Sequence, residues 1–278
     1  AAGKVGGIQA NLADPVGFLV DNWDLGRNVV LAAIEARVPR LLNFGSSCMY
    51  PKDQDTPLRE EQVLSGTLEP TNEGYAIAKC AVARLCRYAS QRDPSLRYRT
   101  LIPCNLYGRW DSFDPQHSHM VPAVIRKLHL AKANGHDRVD VWGDGTARRE
   151  FLYTGDLADC VLRALEPQHF DALPESMNVG LGRDFTVNEY YAAAAEVVGW
   201  RGSFVHDLTK PSGMKRKLVD VTRQLAWGFR APTDLVTGLR RTYEFFLERE
   251  QRTGIPDILK CTIRERVTQA YKHRFIAR

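Results

Sequence analysis

What most constrains this chain is an alternation. Short apolar runs that stop in polar loops are separated by stretches of helical periodicity. "RLLNFGSS", from residue 40, is such a run, and it ends at Gly45. Ahead of it, Asp14-Pro15 reads as an N-cap followed by proline at the first helical position. A helical pattern then continues to about Ala36, with Phe18, Leu19, Val29, Val30, Ala33 and Ile34 in its apolar set. A second helix is predicted from about Tyr75 to Arg92, and the strand "RYRTLIP" stops in the polar loop "CNLYG". "AVIRKLHLAKA" is helical, and "RVDVWGDG" is a strand ending in a turn. Strand, loop and helix in this order predict βα units and an α/β chain with a Rossmann-type parallel sheet.

After about residue 165 the texture changes. "MNVGLG" reads as a strand, "TVNE" at 186–189 as a capping box before "YYAAAAEVVG", and "TDLVTGLRRTYEFFLERE" as a late amphipathic helix. The expected division is a Rossmann-type domain over 1–165 and a smaller, mainly substrate-binding lobe over 166–253 with segments returning to the main domain. Residues 254–278 form a basic tail, where Lys260, Arg264, Arg266, Lys272, Arg274 and Arg278 outnumber Asp257 and Glu265. The 278 residues suffice for one large or two modest domains.

Several function classes fall away. No apolar run approaches the ~18 residues of a membrane span, and the first residues lack a signal-peptide pattern. The net charge of +5 is spread along the chain; it suits an anionic small molecule and gives no argument for nucleic acid. Six cysteines occur without a C-x-x-C pair or a zinc-like cluster with histidine. No metal is expected, and reduced thiols in the cytoplasm are the default.

In open parallel sheets, ligands bind beyond the carboxyl ends of the strands. That rule gathers Gly45-Ser46-Ser47-Cys48, Cys104-Asn105-Leu106-Tyr107 and the Gly143-Asp144-Gly145 turn near one crevice, beside the start of the Tyr75 helix. Tyr75 and Lys79, four apart, share a helix face. The ammonium is expected to favour the phenolate and so ease proton transfer by Tyr75. Y-x-x-x-K alone is common by chance; a serine loop about 30 positions upstream, on the preceding strand end, makes it a candidate catalytic set.

The stretches "AAGKVGGIQAN", "LLNFGSSCMYPK", "LEPTNEGYAIAK", "NLYGRWDSFDPQHSHMVPAVIRK", "VDVWGDGTARREFLY" and "RKLVDVTR" are far more specific. Through them the chain resembles the extended short-chain dehydrogenase/reductase superfamily and, within it, the GDP-L-fucose synthase family. The resemblance covers residues 1 to about 250. It implies NADPH-dependent 3,5-epimerisation and 4-reduction of GDP-4-keto-6-deoxy-D-mannose. It makes Ser46, Tyr75 and Lys79 the reductase triad, and Cys48 and His119 the acid/base pair of epimerisation. Phe44, Gly45, Ser46, Ser47, Tyr75, Lys79, Pro103, Cys104, Asn105, Leu106 and His119 become cofactor-lining, and Lys127, Trp142, Arg149 and Asp220 hold the GDP-sugar. It also implies a homodimer, paired through the helices near Pro15–Ala36 and Tyr75–Arg92. Alternatives that keep the same residues are an enzyme for another GDP-keto-sugar or a silent nucleotide-sugar-binding homologue.

The chain departs from that pattern in places. The family opens with a strand, a glycine-rich turn and a helix that cradle the NADP pyrophosphate. "GKVGG" at 3–7 matches a later, substrate-side loop instead, so the Rossmann part is expected to be N-terminally incomplete, leaving "RLLNFGSS" with an open edge. Lys127 stands where arginine is expected, Cys104 for threonine, Arg109-Trp110 for proline and a polar residue, and Gly74 for the proline before Tyr75.

Overall fold

A computed structural model describes residues 3–52, 57–115, 118–210 and 214–253, with the side chains of 252 and 253 excepted. The basic tail and its cysteine, Cys261, lie outside the described residues.

A short helix, α1 (Ile8–Ala13), leads into α2 (Pro15–Glu35). The start of α2 follows from local chemistry: the Asp14 carboxylate accepts the Gly17 N–H at 2.9 Å, and Pro15 occupies the first helical position. The chain then runs through β1 (Arg40–Phe44), a single turn of 3-10 helix at Ser47–Met49, α3 (Glu73–Arg92), β2 (Arg97–Pro103) and β3 (Asn105–Tyr107). Next come α4 (Met120–Ala133), β4 (Arg138–Trp142), β5 (Arg148–Arg149), β6 (Phe151–Tyr153), α5 (Thr154–Leu165), α6 (Pro167–Asp171) and β7 (Ser176–Val179). The described chain closes with β8 (Phe185–Thr186), α7 (Val187–Val198), β9 (Ser203–Asp207), β10 (Arg216–Lys217), α8 (Thr222–Ala226) and α9 (Leu235–Thr253).

The predicted βα alternation produces a three-stranded parallel sheet in the order β1-β2-β7. Phe44 lies opposite Leu101, so the loops after β1 and β2 emerge side by side at one sheet end. β3 pairs with β6 and β4 with β9, both in parallel. β5 lies between β10, parallel, and β8, antiparallel.

Three apolar clusters hold these layers together. Met49, Leu101, Ile102, Leu152, Met177 and Val179 fill the space around the main sheet. Val30, Ala33, Val82, Cys86 and Tyr98 bind α2 and α3 to its other face. Ile125, Leu128, Val141, Tyr190, Leu239 and Phe246 join α4, β4, α7 and α9. The two helices α2 and α3 approach closely because two glycines allow it. A Cβ on Gly26 would fall 2.4 Å from Val82, and one on Gly74 would fall 2.7 Å from the Pro15 carbonyl oxygen. The Thr186–Glu189 capping box forms as the sequence predicts, and α7 ends on Gly199 at φ 71°.

Some boundaries differ from expectation. The helix carrying Tyr75 starts two residues earlier, at Glu73, because the turn Pro70–Asn72 delivers the chain into it. β1 stops at Phe44, one residue before the expected end at Gly45, and Ser46 caps the turn that follows.

Candidate active site

The site grows from the end of β1. Ser46 has extended backbone, and its hydroxyl accepts the Cys48 N–H at 3.2 Å. The Ser46 side chain also adjoins the Tyr75 phenol in the first turn of α3. One turn later the Lys79 ammonium donates to the Phe44 carbonyl at 3.0 Å and lies 5.7 Å from the centre of the Tyr75 ring. The predicted set Ser46, Cys48, Tyr75 and Lys79 is therefore assembled in one place.

Its electrostatics differ from the simple pairing of a phenol with an ammonium. Burial, followed by the charge of the Cys48 sulfur, pushes the Tyr75 phenol above its ordinary range, and the Ser46 side chain offsets only part of that. Burial also lowers the Lys79 pKa. The expected stabilisation of phenolate by Lys79 is thus outweighed by desolvation, and Tyr75 keeps its proton at neutral pH. A protonated phenol suits a proton donor.

Cys48 is half-buried and is approached by two donors. The Asn72 amide Nδ2 lies 3.2 Å from its sulfur and the Lys217 ammonium 3.7 Å away. The other described cysteines, Cys80, Cys86, Cys104 and Cys160, are buried. Burial raises their thiol pKa values, to about 11 for Cys80 and about 12 for Cys86 and Cys160.

His119 sits at the N-cap of α4, with Nδ1 3.8 Å from an Asp111 carboxylate oxygen and its side chain 44% exposed. The backbone of Gly7 lies against the Ser118 carbonyl, which places the "GKVGG" loop beside this turn. A cavity of about 180 Å³ lies between α1, the start of α2 and the start of α3, bounded by Asn11, Phe18, Asn72 and Tyr75. Two amide oxygens there, Asn11 Oδ1 and Asn72 Oδ1, are buried without a hydrogen-bond partner. A larger cavity of about 310 Å³, between Arg109, Tyr153, Arg241 and Phe245, contains none of the residues of this site.

The residues expected to hold a GDP-sugar fall on the small sheet and its neighbours. Arg149, on β5, donates to the Arg148 carbonyl at 2.8 Å; burial lowers its pKa, and Glu69 opposes that. Asp220 spends one carboxylate oxygen on the Thr222 N–H at 2.8 Å. Trp142 is 51% exposed, with the Lys210 ammonium 5.8 Å from its ring centre. Lys127 is already engaged: its ammonium is 2.9 Å from Asp140 Oδ2 and 3.0 Å from the Asp140 carbonyl.

For a nicotinamide cofactor, the donor chemistry is present at one end. Among the described residues the Lys79 ammonium donates to the Phe44 carbonyl and pairs with no carboxylate. It lies beside Ser46 and Tyr75 where the ends of β1 and β2 adjoin, so these residues fit the nicotinamide ribose. Phe44, Asn105 and Leu106 are half-buried at that end, while Gly45, Ser47, Pro103 and Cys104 are packed into the core. No G-x-x-G-x-x-G turn for the pyrophosphate occurs in the sequence. Among the described residues, no group of histidine, cysteine and acidic side chains could hold a metal.

Sequence reasoning assigned no role to Lys217 or Asn72. Both lie inside motifs it singled out, "RKLVDVTR" and "LEPTNEGYAIAK", but Lys217 meets Cys48 across 169 positions, brought there by the pairing of β10 with β5.

The NAD dependent epimerase/dehydratase family matches residues 1–180. GDP-L-colitose synthase of Yersinia pseudotuberculosis is 49% identical over 247 residues, spanning 89% of this chain and 80% of that protein. GDP-L-fucose synthase of Azorhizobium caulinodans is 48% identical, spanning 89% and 78%. Among solved structures, a GDP-mannoheptose C4 reductase from Campylobacter jejuni with NADP bound superposes with a TM-score of 0.78 at 30% identity, covering 88% of this chain and 79% of that one.

Proposed function

The chain belongs to the NAD dependent epimerase/dehydratase family, and from that premise we propose that it epimerises and reduces a GDP-4-keto-6-deoxyhexose with NADPH. The preferred substrate in this reading is GDP-4-keto-6-deoxy-D-mannose and the product GDP-L-fucose. One observation carries the reading. Ser46 joins two chemistries, because its hydroxyl adjoins the Tyr75 phenol and accepts the Cys48 N–H.

The chemistry follows from the residue types. A ketone at sugar carbon 4 acidifies the hydrogens on carbons 3 and 5. Cys48 and His119 exchange those protons, one removing and the other returning on the opposite face. Ser46 and Tyr75 donate hydrogen bonds to the ketone oxygen and stabilise the negative charge that develops there. NADPH supplies the hydride for carbon 4. Tyr75 then protonates the alkoxide, and Lys79 holds the ribose. Arg149 suits the GDP diphosphate, with Trp142, Lys127 and Asp220 contributing to the nucleotide-sugar side.

In this reading residues up to 165 form the Rossmann-type part and 166–253 mainly the substrate lobe, with β7 returning to the main sheet and α4 and β4 packing across to α7 and α9. The molecule is a homodimer in the cytoplasm. Support for the dimer comes from exposed apolar residues on α2 and α3: Val16, Val20 and Leu31, then Ile77 and Tyr88, recur at helical spacings of four and eleven. Sedimentation as a monomer at micromolar concentration would count against it.

The test of function is incubation with the keto-sugar and NADPH in heavy water. Expected are deuterium at carbons 3 and 5 and oxidation of NADPH, with the exchange lost in Cys48→Ser. Binding of the GDP-sugar without exchange or oxidation would mark a silent homologue instead. The 49% identity to a GDP-L-colitose synthase favours a second reading, the same chemistry on another GDP-keto-sugar. A comparison of kcat/KM on the two substrates separates them.

A further inference from the structure

We propose that Lys217 is the cation that holds Cys48 as a thiolate, a positioning residue for the epimerisation rather than part of the diphosphate clamp. The proposal rests on the reading of Cys48 as an acid/base group. It starts from the contacts of the sulfur: the Asn72 amide at 3.2 Å and the Lys217 ammonium at 3.7 Å both point donors at it. A neutral thiol is a weak acceptor, whereas a thiolate is stabilised by an adjacent ammonium. Two donors converging on one sulfur suit the charged form.

Strand register explains why Lys217 is there. β10 and β5 are parallel, with Arg216 opposite Arg148 and Lys217 opposite Arg149. Successive side chains on a strand alternate faces, so the four cations divide into two pairs. On one face the buried Asp184 binds both members, Arg148 at 2.9 Å and Arg216 at 2.5 Å. On the other, Lys217 has no carboxylate partner among the described residues, and its ammonium lies 3.7 Å from the Cys48 sulfur. Asp184 on the first face fixes the register that delivers Lys217 to Cys48.

The remaining groups around Cys48 agree with this assignment. Ser46 faces it from its own turn, Asn72 from the turn before α3, and Tyr75 and Cys80 from α3 itself. Burial keeps both the Tyr75 phenol and the Cys80 thiol protonated, so neither repels a thiolate at neutral pH. Lys79 gives its hydrogen bond to the Phe44 carbonyl. In the proton transfer, the Cys48 thiolate takes H⁺ from the sugar carbon, and the C–H electron pair moves into the enolate. Lys217 keeps its own proton throughout and offsets the charge on sulfur before the transfer.

Alkylation of the free protein by iodoacetamide tests this without substrate or cofactor. The rate at the Cys48 peptide is followed by mass spectrometry from pH 6 to 10, with Cys48→Ser as the blank. A thiol of ordinary acidity reaches about 3% of its plateau rate at pH 7, and wild-type Cys48 is expected above roughly 20%. Lys217→Met should slow alkylation at pH 7 about tenfold and leave the rate at pH 10 unchanged. Lys217→Arg should stay within about threefold of wild type. An unchanged rate at pH 7 in Lys217→Met, or equal slowing at every pH, overturns the proposal. A wild-type rate near 3% of plateau overturns it with no variant needed. Deuterium exchange that persists in Cys48→Ser would instead overturn the assignment of Cys48 as acid/base, while the alkylation profile still reports the Lys217 pair.

Discussion

Two neighbouring regions of the molecule handle charge in opposite ways. Around Ser46, Tyr75 and Lys79, polar groups are half-buried with few partners: burial raises the phenol, lowers the ammonium, and leaves hydrogen-bonding capacity free. On the small sheet of β5, β8 and β10, charges are matched. Asp184 is 5% exposed and binds two guanidiniums. Burial alone would raise its carboxyl pKa, but Arg148 and Arg216 more than offset this and hold it below the ordinary value. The first region keeps its groups ready for a ligand, and the second gives up that freedom to hold a register. A reactive site and its support differ here less in composition than in how many of their hydrogen bonds are already made.

The largest effect belongs to the first region. Tyr75→Phe removes the proton donor for the carbon-4 alkoxide, and NADPH oxidation with the keto-sugar should fall by roughly 10²–10⁴-fold. Deuterium exchange at carbons 3 and 5 should fall far less, because Cys48 and Ser46 remain. The urea midpoint should change little, since the phenol's polar neighbour, the Ser46 hydroxyl, keeps its bond to the Cys48 N–H. Equal loss of both activities would merge the two chemistries into one and break the comparison.

Glu150 lies between the regions and sharpens the contrast. It is 1% exposed and accepts the N–H of Gly182 at 2.7 Å and of Val219 at 2.9 Å. These two bonds tie β10 to the loop after β7. Burial nevertheless pushes its carboxyl up to about 7. Below about pH 4.5 the group is protonated in both folded and unfolded chains. As pH rises toward 7, the unfolded chain releases the proton and the folded one retains it, so stability falls across that window and then levels. The contribution is roughly 3 kcal/mol at its limit. Urea unfolding at pH 5 and pH 8 measures it; Glu150→Gln should flatten the slope. A slope of the opposite sign would show that the two backbone donors outweigh desolvation.

Asp184→Asn addresses the matched region. It leaves two guanidiniums with a neutral partner, and because both are partly exposed the expected loss is about 1–3 kcal/mol at pH 7. Asp184 has a depressed pKa, so its contribution is present above the ordinary carboxylate value and is lost as pH falls through the still lower folded value. The difference between wild type and Asp184→Asn should therefore shrink as pH drops below about 4. The variant should also slow Cys48 alkylation if the clamp sets the Lys217 register.

These regions were also unequally legible in the sequence. The main sheet was readable because its strands are apolar runs with loops at their ends, and its helices carry caps such as Asp14-Pro15 and Thr186–Glu189. Ser46, Cys48, Tyr75 and Lys79 were readable as a set because one βα unit, the loop after β1 and the start of α3, brings them to one sheet end. The strands β5, β8 and β10 have two residues each and no periodicity of their own. Their pairing is decided by Asp184, far from either arginine in sequence, so Lys217 facing Cys48 could not be anticipated. β9 escaped for a related reason: in "SFVHD" only Phe204 and Val205 are apolar, and they stand side by side rather than in alternation. The effect of Lys79 on Tyr75 was misjudged because desolvation depends on packing that spacing does not encode.

The smallest effect is expected at Lys127. Its position on α4 opposite β4 brings the ammonium to the Asp140 carboxylate and carbonyl at 2.9 and 3.0 Å, and 6.0 Å from the Tyr191 ring centre. A cation so engaged must share its charge with Asp140 to meet a diphosphate, whereas the half-buried Arg149, whose pKa burial lowers, has more to gain from an anion. Lys127→Met should weaken GDP binding by no more than about threefold, in the range of an exposed ion pair. Arg149→Met should cost at least tenfold, as expected for a charge-assisted hydrogen bond to phosphate. Calorimetric titration of both variants with GDP measures the ratio. Should Lys127→Met prove the more damaging, Asp140 would be acting as a holder that presents Lys127 to the ligand, and the boundary between the matched and the waiting charges would move to α4.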